Sequence, residues 1–490
     1  MPTKPEVNIF WFKRDLRLID NPPLQAAIDA KEPTLLLYVF EPELLQNNHY
    51  SDRDWNFVKQ SIEHLNACLE KQNTKIHVFK GDFLEIIESI SKKFLIKALY
   101  SHQETGLSVT YARDKKAKMF CKNQDINWHE FVNNGVFRGI KNRTDWRAHW
   151  REFMMTPIIP FQAKDCQFID SKYLNGAPNI YKFKSKIISG IQKGGSHYGL
   201  AYLKGFLETR HKTYQTNISK PLKSRESCSR LSTYLSWGNL SVRYVWQAAE
   251  KAKLNGKSKF QLNAFTSRLR WQAHFIQKFE MEDRMEFESI NKGFQKLEKK
   301  ENIQHLEAWK KGATGYPLID ACMICLRETG YVNFRMRAML VSFLTHHLWQ
   351  PWQSGASYLG RLFLDFEPGI HYPQFQMQAG ETGINMLRIY NPVKNSIEHD
   401  PMGEFIKEWV PELHALPVEF IHEPWKLTSI EQQFYNLHIG KDYPHPIIDI
   451  TKSFKKASEK LWGMRKHHLV RKESARILKK HTLPNRNNFD

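Results

Sequence analysis

The first 135 residues alternate short β-rich runs with helical patterns, and this alternation limits the possible folds more than any other feature. The β-rich runs are VNIFWF, TLLLYVF, KIHVFK and ALYSH, and segments such as WNFVKQSIEHLNACLE and FLEIIESISKKF separate them. Such alternation predicts a doubly wound parallel sheet with helices on both faces. Ligands of these sheets lie beyond the carboxyl ends of the strands. No GxGxxG motif or P-loop follows a strand, so the usual dinucleotide and triphosphate sites are not supported.

The rest of the chain divides into a connector and a helical region. Residues 136–197 lose the periodicity and are rich in Trp, Pro and Lys, which indicates a long connector that is partly ordered against its neighbours. From 198 to 465, apolar residues recur at spacings of three and four, as in SRLRWQAHFIQKFE. Residues 466–490 form a basic helix and tail. We therefore expect an α/β domain at 1–135 followed by an all-α domain.

The charge balance points to a polyanionic partner. The 490 residues, enough for two to three domains, include 72 Lys and Arg against 51 Asp and Glu, which gives a net charge of +21 and a pI near 9.5. Phosphates attract such a surface without sequence preference, so nucleic acid leads over neutral substrates. A basic surface that serves only solubility would carry the same charge.

The cysteines favour a reducing compartment, and the hydropathy favours a protein without a membrane span. The six cysteines are scattered and form no disulfide framework. Cys322 and Cys325 have CxxC spacing, but they lie in a helical pattern without a second pair, so we expect buried helix positions rather than metal ligands. No apolar run approaches the ~20 residues of a membrane span. We expect a cytoplasmic monomer.

The stretch PGIHYPQFQMQAG, residues 368 to 380, fits neither a strand pattern nor a helix pattern. Its two prolines and two glycines make a helix improbable, and a surface loop is the simplest interpretation. The preceding ASYLGRLFLDFE is typical of the end of an amphipathic helix and would carry Asp365 and Glu367 on that helix.

Several collinear segments resemble the photolyase and cryptochrome family over nearly the whole chain. They are FWFKRDLRLIDNPPL, SRLSTYLSWGNLS, TGYPLIDACMICLRETGYVNFRMRAMLVSFL, LRIYNPVKNSIEHDPMGEFIKEWVPEL and DYPHPIIDI. The resemblance implies a light-driven enzyme in which reduced FAD passes an electron to a pyrimidine dimer in UV-damaged DNA. A cryptochrome-like blue-light photoreceptor is the alternative. In either case the cofactor supplies the chemistry and the protein supplies binding, orientation and electrostatics.

The FAD residues follow from one local pattern and from the resemblance. Ser227, Ser229 and Ser232 flank Arg230 before an apolar helical run, which favours a diphosphate site or an ordinary helix cap equally. The resemblance implies that Arg337 pairs with Asp365 beside the flavin. It implies FAD contacts from Tyr214, Ser229, Arg230, Leu231, Ser232, Trp271, Gln272, Arg335, Arg337, Asp365, Glu367 and His371.

The expected lesion site departs from the relatives. The resemblance implies that a flipped lesion stacks on Trp271, with Arg268 and Met377 as further DNA contacts. Arg268 replaces the glutamate that hydrogen-bonds a cyclobutane dimer, and Gln272 and Ala273 replace an Arg-Glu pair. The paired histidines of six-four photoproduct repair would fall at Phe334 and Ala338. We therefore expect lesion recognition that differs from both groups or is absent.

The electron-transfer positions also depart from the relatives. His371 falls where an asparagine usually faces flavin N5, and an imidazole there would donate to N5 or carry charge near neutral pH. Phe375 replaces the first tryptophan of the usual chain, Trp352 matches the middle one, and the outermost falls near Lys299. A different route would run through Trp349, Trp352 or tyrosines such as Tyr372.

The resemblance also bears on two further groups, a light-harvesting second chromophore and an iron-sulfur cluster. The usual folate-contacting glutamate would fall near Leu107, so a deazaflavin or a flavin is favoured over folate as a second chromophore. Only three cysteines follow residue 225. Since the relatives with an iron-sulfur cluster use four, we expect no cluster.

Overall fold

The computed structural model describes residues 4–164, 166–174 and 179–483, and its N-terminal part contains a five-stranded parallel sheet. The spatial order is β3-β2-β1-β4-β5. The strands are β1 (Glu6–Phe12), β2 (Thr34–Phe40), β3 (His77–Lys80), β4 (Leu95–His102) and β5 (Asn127–Phe131). The predicted parallel sheet is confirmed. Strand β5 was not predicted, because this short edge strand has mostly polar, partly exposed residues.

The two faces of the sheet enter different hydrophobic cores. Val7, Ile9 and Trp11 of β1 face a core that belongs to the α/β region. The alternate residues Phe10 and Phe12 face a core that continues through the helical region. Burial on both faces explains why the strands read as almost continuous apolar runs. The shared core fixes the sheet against the helices.

The remainder of the described chain is mostly helical. The helices that start before residue 200 are α1 (Pro22–Asp29), α2 (Pro42–Leu45), α3 (Asp52–Leu69), α4 (Phe83–Lys93), α5 (Ser108–Asn123), α6 (Trp146–Met155) and α7 (Ser196–Glu208). The next are α8 (Tyr214–Asn217), α9 (Ser224–Ser227), α10 (Ser232–Ser236), α11 (Val242–Leu254), α12 (Lys259–Met281), α13 (Ile303–Lys311), α14 (Pro317–Thr329) and α15 (Phe334–Ser342). The last are α16 (Gln353–Leu362), α17 (Pro368–Gln378), α18 (Pro392–His399), α19 (Glu404–Trp409), α20 (Val418–Ile421), α21 (Ser429–Phe434), α22 (Ile450–Lys466) and α23 (His468–His481).

Several short irregular helices complete the list of elements. Three-residue-per-turn helices lie at Glu70–Gln72, Ser171–Leu174, Arg210–Thr213, Asp283–Glu286, Lys292–Lys296, Pro411–Leu413 and Pro424–Lys426. Helix α15 runs on into a π-helical turn at Phe343–His347, where His346 and His347 are buried. These two histidines are therefore structural residues. The predicted tail at 484–490 lies outside the described residues.

Helix α17 contradicts the loop interpretation of residues 368 to 378. Pro368 occupies the first helical position, where a missing N–H costs nothing. Pro373 gives up one bond inside the helix, but α17 packs closely on α12. A Cβ at Gly369 would lie 2.8 Å from the Cα of Ile276, so this glycine permits the close approach. The residues that suggested a break are therefore packing residues.

The connector is more ordered than expected, and the cysteines behave as predicted. Trp146, Trp150 and Met154 of α6 are buried, and α6 packs against α11. Cys322 and Cys325 are buried on α14, as the helical pattern predicted. None of the helices in the described ranges is long and apolar enough to cross a bilayer.

Candidate functional site

A cavity of about 760 Å³ lies among α12, α15, α17 and residues 228–236. Most of the residues predicted for the site line it. They are Tyr214, Ser229, Arg230, Leu231, Ser232, Arg268, Trp271, Gln272, Arg337, Asp365, Glu367, His371, Phe375 and Met377. Segments that lie far apart in the sequence therefore meet around one space of the size that organic cofactors occupy.

Capping residues fix the three helices that form the walls. The Ser258 side chain accepts a bond from the Gln261 N–H at the start of α12, and Asn333 caps α15 through the Met336 N–H. Glu367 caps α17 through the Gly369 N–H. Each cap satisfies an N–H that lacks a partner within the helix, so the register of the lining residues is defined locally.

Arg337 and Asp365 form the expected ion pair on the cavity wall. The Nη2 of Arg337 donates to Asp365 Oδ2 at 2.9 Å, and its Nε donates to the Val332 carbonyl at 2.9 Å. The guanidinium also lies 4.0 Å from the Phe363 ring centroid. Asp365 follows the end of α16 at Leu362 and Glu367 caps α17, so the prediction that both lie on the preceding helix is wrong.

Arg230 is held from two sides. It adopts a left-handed φ of 58°, and its guanidinium lies 3.8 Å from the Tyr331 ring centroid. Its Nη2 donates to Gln192 Oε1 at 3.3 Å. Ser227 lies on α9, and its hydroxyl donates to the Lys223 carbonyl. Ser227 is therefore a structural residue. The apolar run after Arg230 forms only the short helix α10.

The lining has buried polar atoms that a flavin dinucleotide would satisfy. Within the described part of the chain, Asp365 Oδ1, Arg230 Nε and Ser232 Oγ are buried without a hydrogen-bond partner. Unsatisfied buried polar atoms are rare, and a bound ligand is one explanation for them. A diphosphate would accept from Arg230 and Ser232, and the polar edge of a flavin ring would donate to Asp365. The residues present fit FAD.

His371 lines the cavity and is held by a hydrogen bond to the backbone of α16. Its Nε2 lies 2.8 Å from the Ala356 carbonyl oxygen, which only accepts, so Nε2 carries the proton. Burial lowers the pKa of His371 to about 3, although the bond to Ala356 opposes this. The imidazole therefore carries no charge near neutral pH, and the ring nitrogen that remains is an acceptor. The low pKa argues against the predicted charge, and the hydrogen bond to Ala356 argues against the predicted donation to flavin N5.

The mouth of the cavity combines exposed apolar side chains with positive charge. Trp271 and Phe334 are each 40% exposed, and Met386 is 75% exposed. Acidic residues among the described lining are only Asp365 and Glu367. The basic lining residues are Arg147, Arg230, Arg268, Arg270, Lys278, Arg337 and Arg388. This surface favours a polyanion with flat, apolar rings.

Sequence analysis missed a buried basic group beside Trp271. Arg143 Nη2 donates to His274 Nδ1 at 2.7 Å, and the His274 and Trp271 ring centroids are 5.4 Å apart. Burial, with Arg143 adding to it, lowers the pKa of Lys278 to about 8. Lys278 and His274 lie on α12 at helical spacing from Trp271, so the sequence could have predicted that they share a face with it. Arg143 comes from the connector, and no local pattern links it to α12.

Two predicted residues lie outside the cavity. Arg335 donates from Nη1 to the Tyr390 hydroxyl at 3.1 Å and does not line the space, because it projects from another side of α15 than Arg337. Trp352 is buried behind Phe375, with ring centroids 6.3 Å apart. Arg335 thus faces away from the cavity, and Trp352 is one layer removed from it.

The carboxyl ends of the strands are filled by the chain's own charges. Arg113 pairs with Glu41 at 2.7 Å, Glu104 at 2.6 Å and Asp114 at 2.8 Å, and Lys13 pairs with Asp114 at 2.8 Å. We call these five residues the Arg113 cluster. Burial raises the pKa of Asp114, but Arg113 and Lys13 outweigh it and hold this pKa below its ordinary value. A space of about 40 Å³ remains beside the cluster. It has room for a water molecule but not for a deazaflavin or a flavin.

Comparisons with known proteins agree with the two-part fold. Residues 8–145 match the family model for DNA photolyase, and residues 265–463 match that for the FAD binding domain of DNA photolyase. A deoxyribodipyrimidine photo-lyase from Alkalihalophilus pseudofirmus is 28% identical over 91% of this chain and 96% of that protein. A cryptochrome DASH from Synechocystis sp. is 26% identical over 92% and 96%.

A solved structure gives the same result for the fold. The photolyase from Sulfolobus tokodaii, whose structure holds two FAD molecules, aligns with a TM-score of 0.76 at 24% identity, over 93% of this chain and 100% of that one. The two family models together match more than half of this chain. The chain therefore belongs to the photolyase and cryptochrome family, with an N-terminal α/β domain and a helical FAD-binding domain.

Proposed function

We propose that this protein is a light-driven, FAD-dependent DNA photolyase that repairs UV-induced pyrimidine dimers. The observation that carries the proposal is the position of Trp271, partly exposed at the mouth of a cavity that fits FAD and is rimmed by basic residues. Such a mouth suits a base that has been taken out of the DNA stack. The scattered free cysteines favour a cytoplasmic protein, which we propose acts as a monomer.

The chain's residues divide the work of holding the cofactor. Arg230 and Ser232 would bind the diphosphate, and the Arg337–Asp365 pair would orient the flavin ring. Neutral His371 offers an acceptor nitrogen on the same wall. When bound, FAD supplies one-electron transfer under blue light. We propose one FAD per chain, because a second chromophore at the carboxyl ends of the strands would have to displace the Arg113 cluster.

Lesion recognition would rest on stacking and positive charge. Trp271 provides a flat surface for a flipped base, and base stacking on an aromatic side chain contributes about 1–3 kcal/mol. Arg268, whose guanidinium lies 5.9 Å from the Phe334 ring centroid, and Arg270 would contact phosphates. Met377 lines the cavity on α17 and would pack against the lesion.

The test is a repair assay on defined lesions. FAD-loaded protein is incubated under blue light with oligonucleotides that contain one cyclobutane dimer or one six-four photoproduct, in single- and double-stranded form. We expect light-dependent loss of one of the two lesions and no loss in the dark. Trp271→Leu should lower the repair rate, whereas Trp462→Leu, which removes an exposed tryptophan on α22, should not. If both lesions survive illumination, the protein is not a photolyase.

A blue-light photoreceptor is the second candidate. It is supported by Arg268 and Phe375, which stand where repair enzymes use other residues, and by the cryptochrome among the relatives. This candidate predicts that light reduces the flavin while both lesions persist. The repair assay, run with a parallel absorption measurement of the flavin, separates the two functions.

A further inference from the structure

We propose that Tyr372, hydrogen-bonded to His49, is the side chain that gives an electron to the light-excited flavin while its proton passes to His49. The inference rests on the proposed function, because the electron acceptor is a flavin in the cavity. It identifies an electron donor where Phe375 interrupts the tryptophan route. The donor and its base come from different domains, since His49 follows α2 and Tyr372 lies on α17.

The hydrogen bond has a defined direction. The Tyr372 hydroxyl and His49 Nε2 are 2.5 Å apart. On the other side of the ring, His49 Nδ1 lies 2.6 Å from Asn47 Oδ1. The backbone N–H of His49 donates to the same Asn47 oxygen at 3.1 Å, which fixes that atom as the acceptor. Nδ1 therefore carries the ring proton, and Nε2 accepts the proton of Tyr372.

Burial keeps both groups neutral in the dark. It lowers the pKa of His49 to about 4 and raises the pKa of the Tyr372 hydroxyl far above its ordinary value. The phenol is thus protonated and the imidazole is free to accept a proton. Once an electron has left, the phenol is a far stronger acid than an imidazolium, and His49 Nε2 is the base hydrogen-bonded to it. Loss of the electron therefore sends the proton to His49.

Tyr372 lies next to the cavity wall. Its ring centroid is 5.5 Å from that of His371, which lines the cavity, and 6.1 Å from that of Trp352. It also stacks on Phe279 at 5.9 Å. The His49 ring stacks on Phe366 at 5.2 Å, another residue of the cavity lining. Aromatic rings therefore pack against both Tyr372 and His49, and the two residues lie directly behind the residues that line the cavity.

The step conserves electrons and protons. One electron leaves Tyr372 and reduces the oxidised flavin by one equivalent. The O–H bond of Tyr372 breaks, and its proton forms an N–H bond at His49 Nε2. The products are a neutral tyrosyl radical and a His49 imidazolium, whose Nδ1–H still donates to Asn47. The low pKa of His49 lets the proton return when the radical is reduced.

Trp352 is the competing donor and has a less direct base. Its Nε1 donates to the Ser289 hydroxyl at 3.0 Å, and that hydroxyl donates to Glu381 Oε2 at 2.6 Å. A proton from Trp352 would have to cross two hydrogen bonds to reach a carboxylate. Tyr372 needs one, so we expect the radical to settle on Tyr372.

The test is electron paramagnetic resonance of the FAD-loaded protein frozen under blue light. Wild-type protein should give a radical whose spectrum narrows when ring-deuterated tyrosine is incorporated, and whose formation is slower in D₂O. Tyr372→Phe should abolish this signal. His49→Gln keeps an acceptor but cannot hold the proton, so it should abolish the lasting signal as well. Tyr316→Phe is the matched control, since Tyr316 is buried but donates to the Ile448 carbonyl, which is no base.

The outcomes are distinguishable from failure of the proposed function. FAD content is measured for each variant, so loss of signal with normal FAD supports the inference. A radical that persists in Tyr372→Phe, is insensitive to tyrosine deuteration and disappears in Trp352→Phe would overturn it, as would the lack of any protein radical in wild type. If the tyrosyl radical forms but no lesion is repaired, the repair proposal fails and this inference stands.

Discussion

The cavity of the helical domain and the carboxyl edge of the sheet are both places where this fold can take a ligand, but they differ in how their charged groups are satisfied. In the cavity, Asp365 Oδ1, Arg230 Nε and Ser232 Oγ lack partners within the described chain. At the edge of the sheet, every carboxylate of the Arg113 cluster has a cationic partner. Buried charges at the sheet edge are thus paired within the chain, whereas Asp365 and Arg230 each keep a buried atom that a ligand can bind.

Removing the central cation of the sheet edge should give the largest effect. Arg113→Met leaves Glu41 and Glu104 buried without a cationic partner, and leaves Asp114 paired only with Lys13. Breaking a buried ion pair from one side costs about 3–5 kcal/mol, so the free energy of unfolding should fall by that amount. Chemical denaturation measures it, with exposed Arg361→Met as the control, expected to change stability by less than about 0.5 kcal/mol. FAD per folded chain should not change; equal stability of Arg113→Met and wild type would refute the role of the cluster.

Changing the cavity ion pair should affect the cofactor instead. Asp365→Asn removes the charge opposite Arg337. A hydrogen bond to a charged group contributes about 1.5–3 kcal/mol, so the Kd for FAD should rise about ten- to hundredfold. Titration of apoprotein with FAD, followed by flavin fluorescence, measures the Kd. Asp125→Asn is a matched control, because Asp125 is exposed and its φ of 55° suits asparagine. An unchanged Kd would place the flavin elsewhere.

Replacing the exposed tryptophan at the mouth should weaken DNA binding without changing FAD affinity. Trp271→Leu removes one stacking surface, which should weaken binding of a lesion-containing oligonucleotide by about 1–3 kcal/mol. Fluorescence anisotropy with lesion-containing and intact oligonucleotides measures the difference at fixed salt. If Trp271→Leu weakens binding of both oligonucleotides equally, Trp271 does not read the lesion.

Acid should also destabilise the protein through His371, by less than the loss of Arg113 does. The folded-state pKa of His371 is about 3 against an ordinary value of 6.5, so between these values the unfolded chain binds a proton that the folded chain does not. Stability from this residue is complete above pH 6.5 and is lost as the pH falls toward 3, by at most about 1.4 kcal/mol per pH unit. The free energy of unfolding is measured by denaturation between about pH 5 and 8, where most proteins are most stable. It should depend less on pH in His371→Asn than in wild type. Identical pH dependence in both would show that His371 is not buried as described.

Local patterns were enough for β1 to β4 and for most of the long helices. The parallel sheet followed from alternation, and the lining positions of Arg337 and Asp365 followed from the family resemblance. The stretch from Pro368 to Gln378 was misread because its breaker residues serve the helix start and the contact with Ile276, which only the folded chain brings close. Short β5 lacked a clear apolar period, whereas α6 carries Trp146, Trp150 and Met154 at a spacing of four that predicts a helix.

Long-range polar contacts could not be read from the sequence. His49 and Tyr372 are 323 positions apart, and neither has a local signal for the other. The Arg113 cluster likewise draws on the ends of different strands and on α5. Tertiary packing therefore decides which ligand sites are open and which tyrosine has a base, and a sequence pattern cannot supply this information.

Native mass spectrometry of the purified protein tests the central claim most directly. The open cavity and the closed sheet edge predict a mass equal to one chain plus one FAD, with Asp365→Asn losing the FAD and Arg113→Met retaining it in the folded fraction. A chain that carries two chromophores, or whose single FAD is retained in Asp365→Asn and lost in Arg113→Met, would contradict the assignment of the two sites.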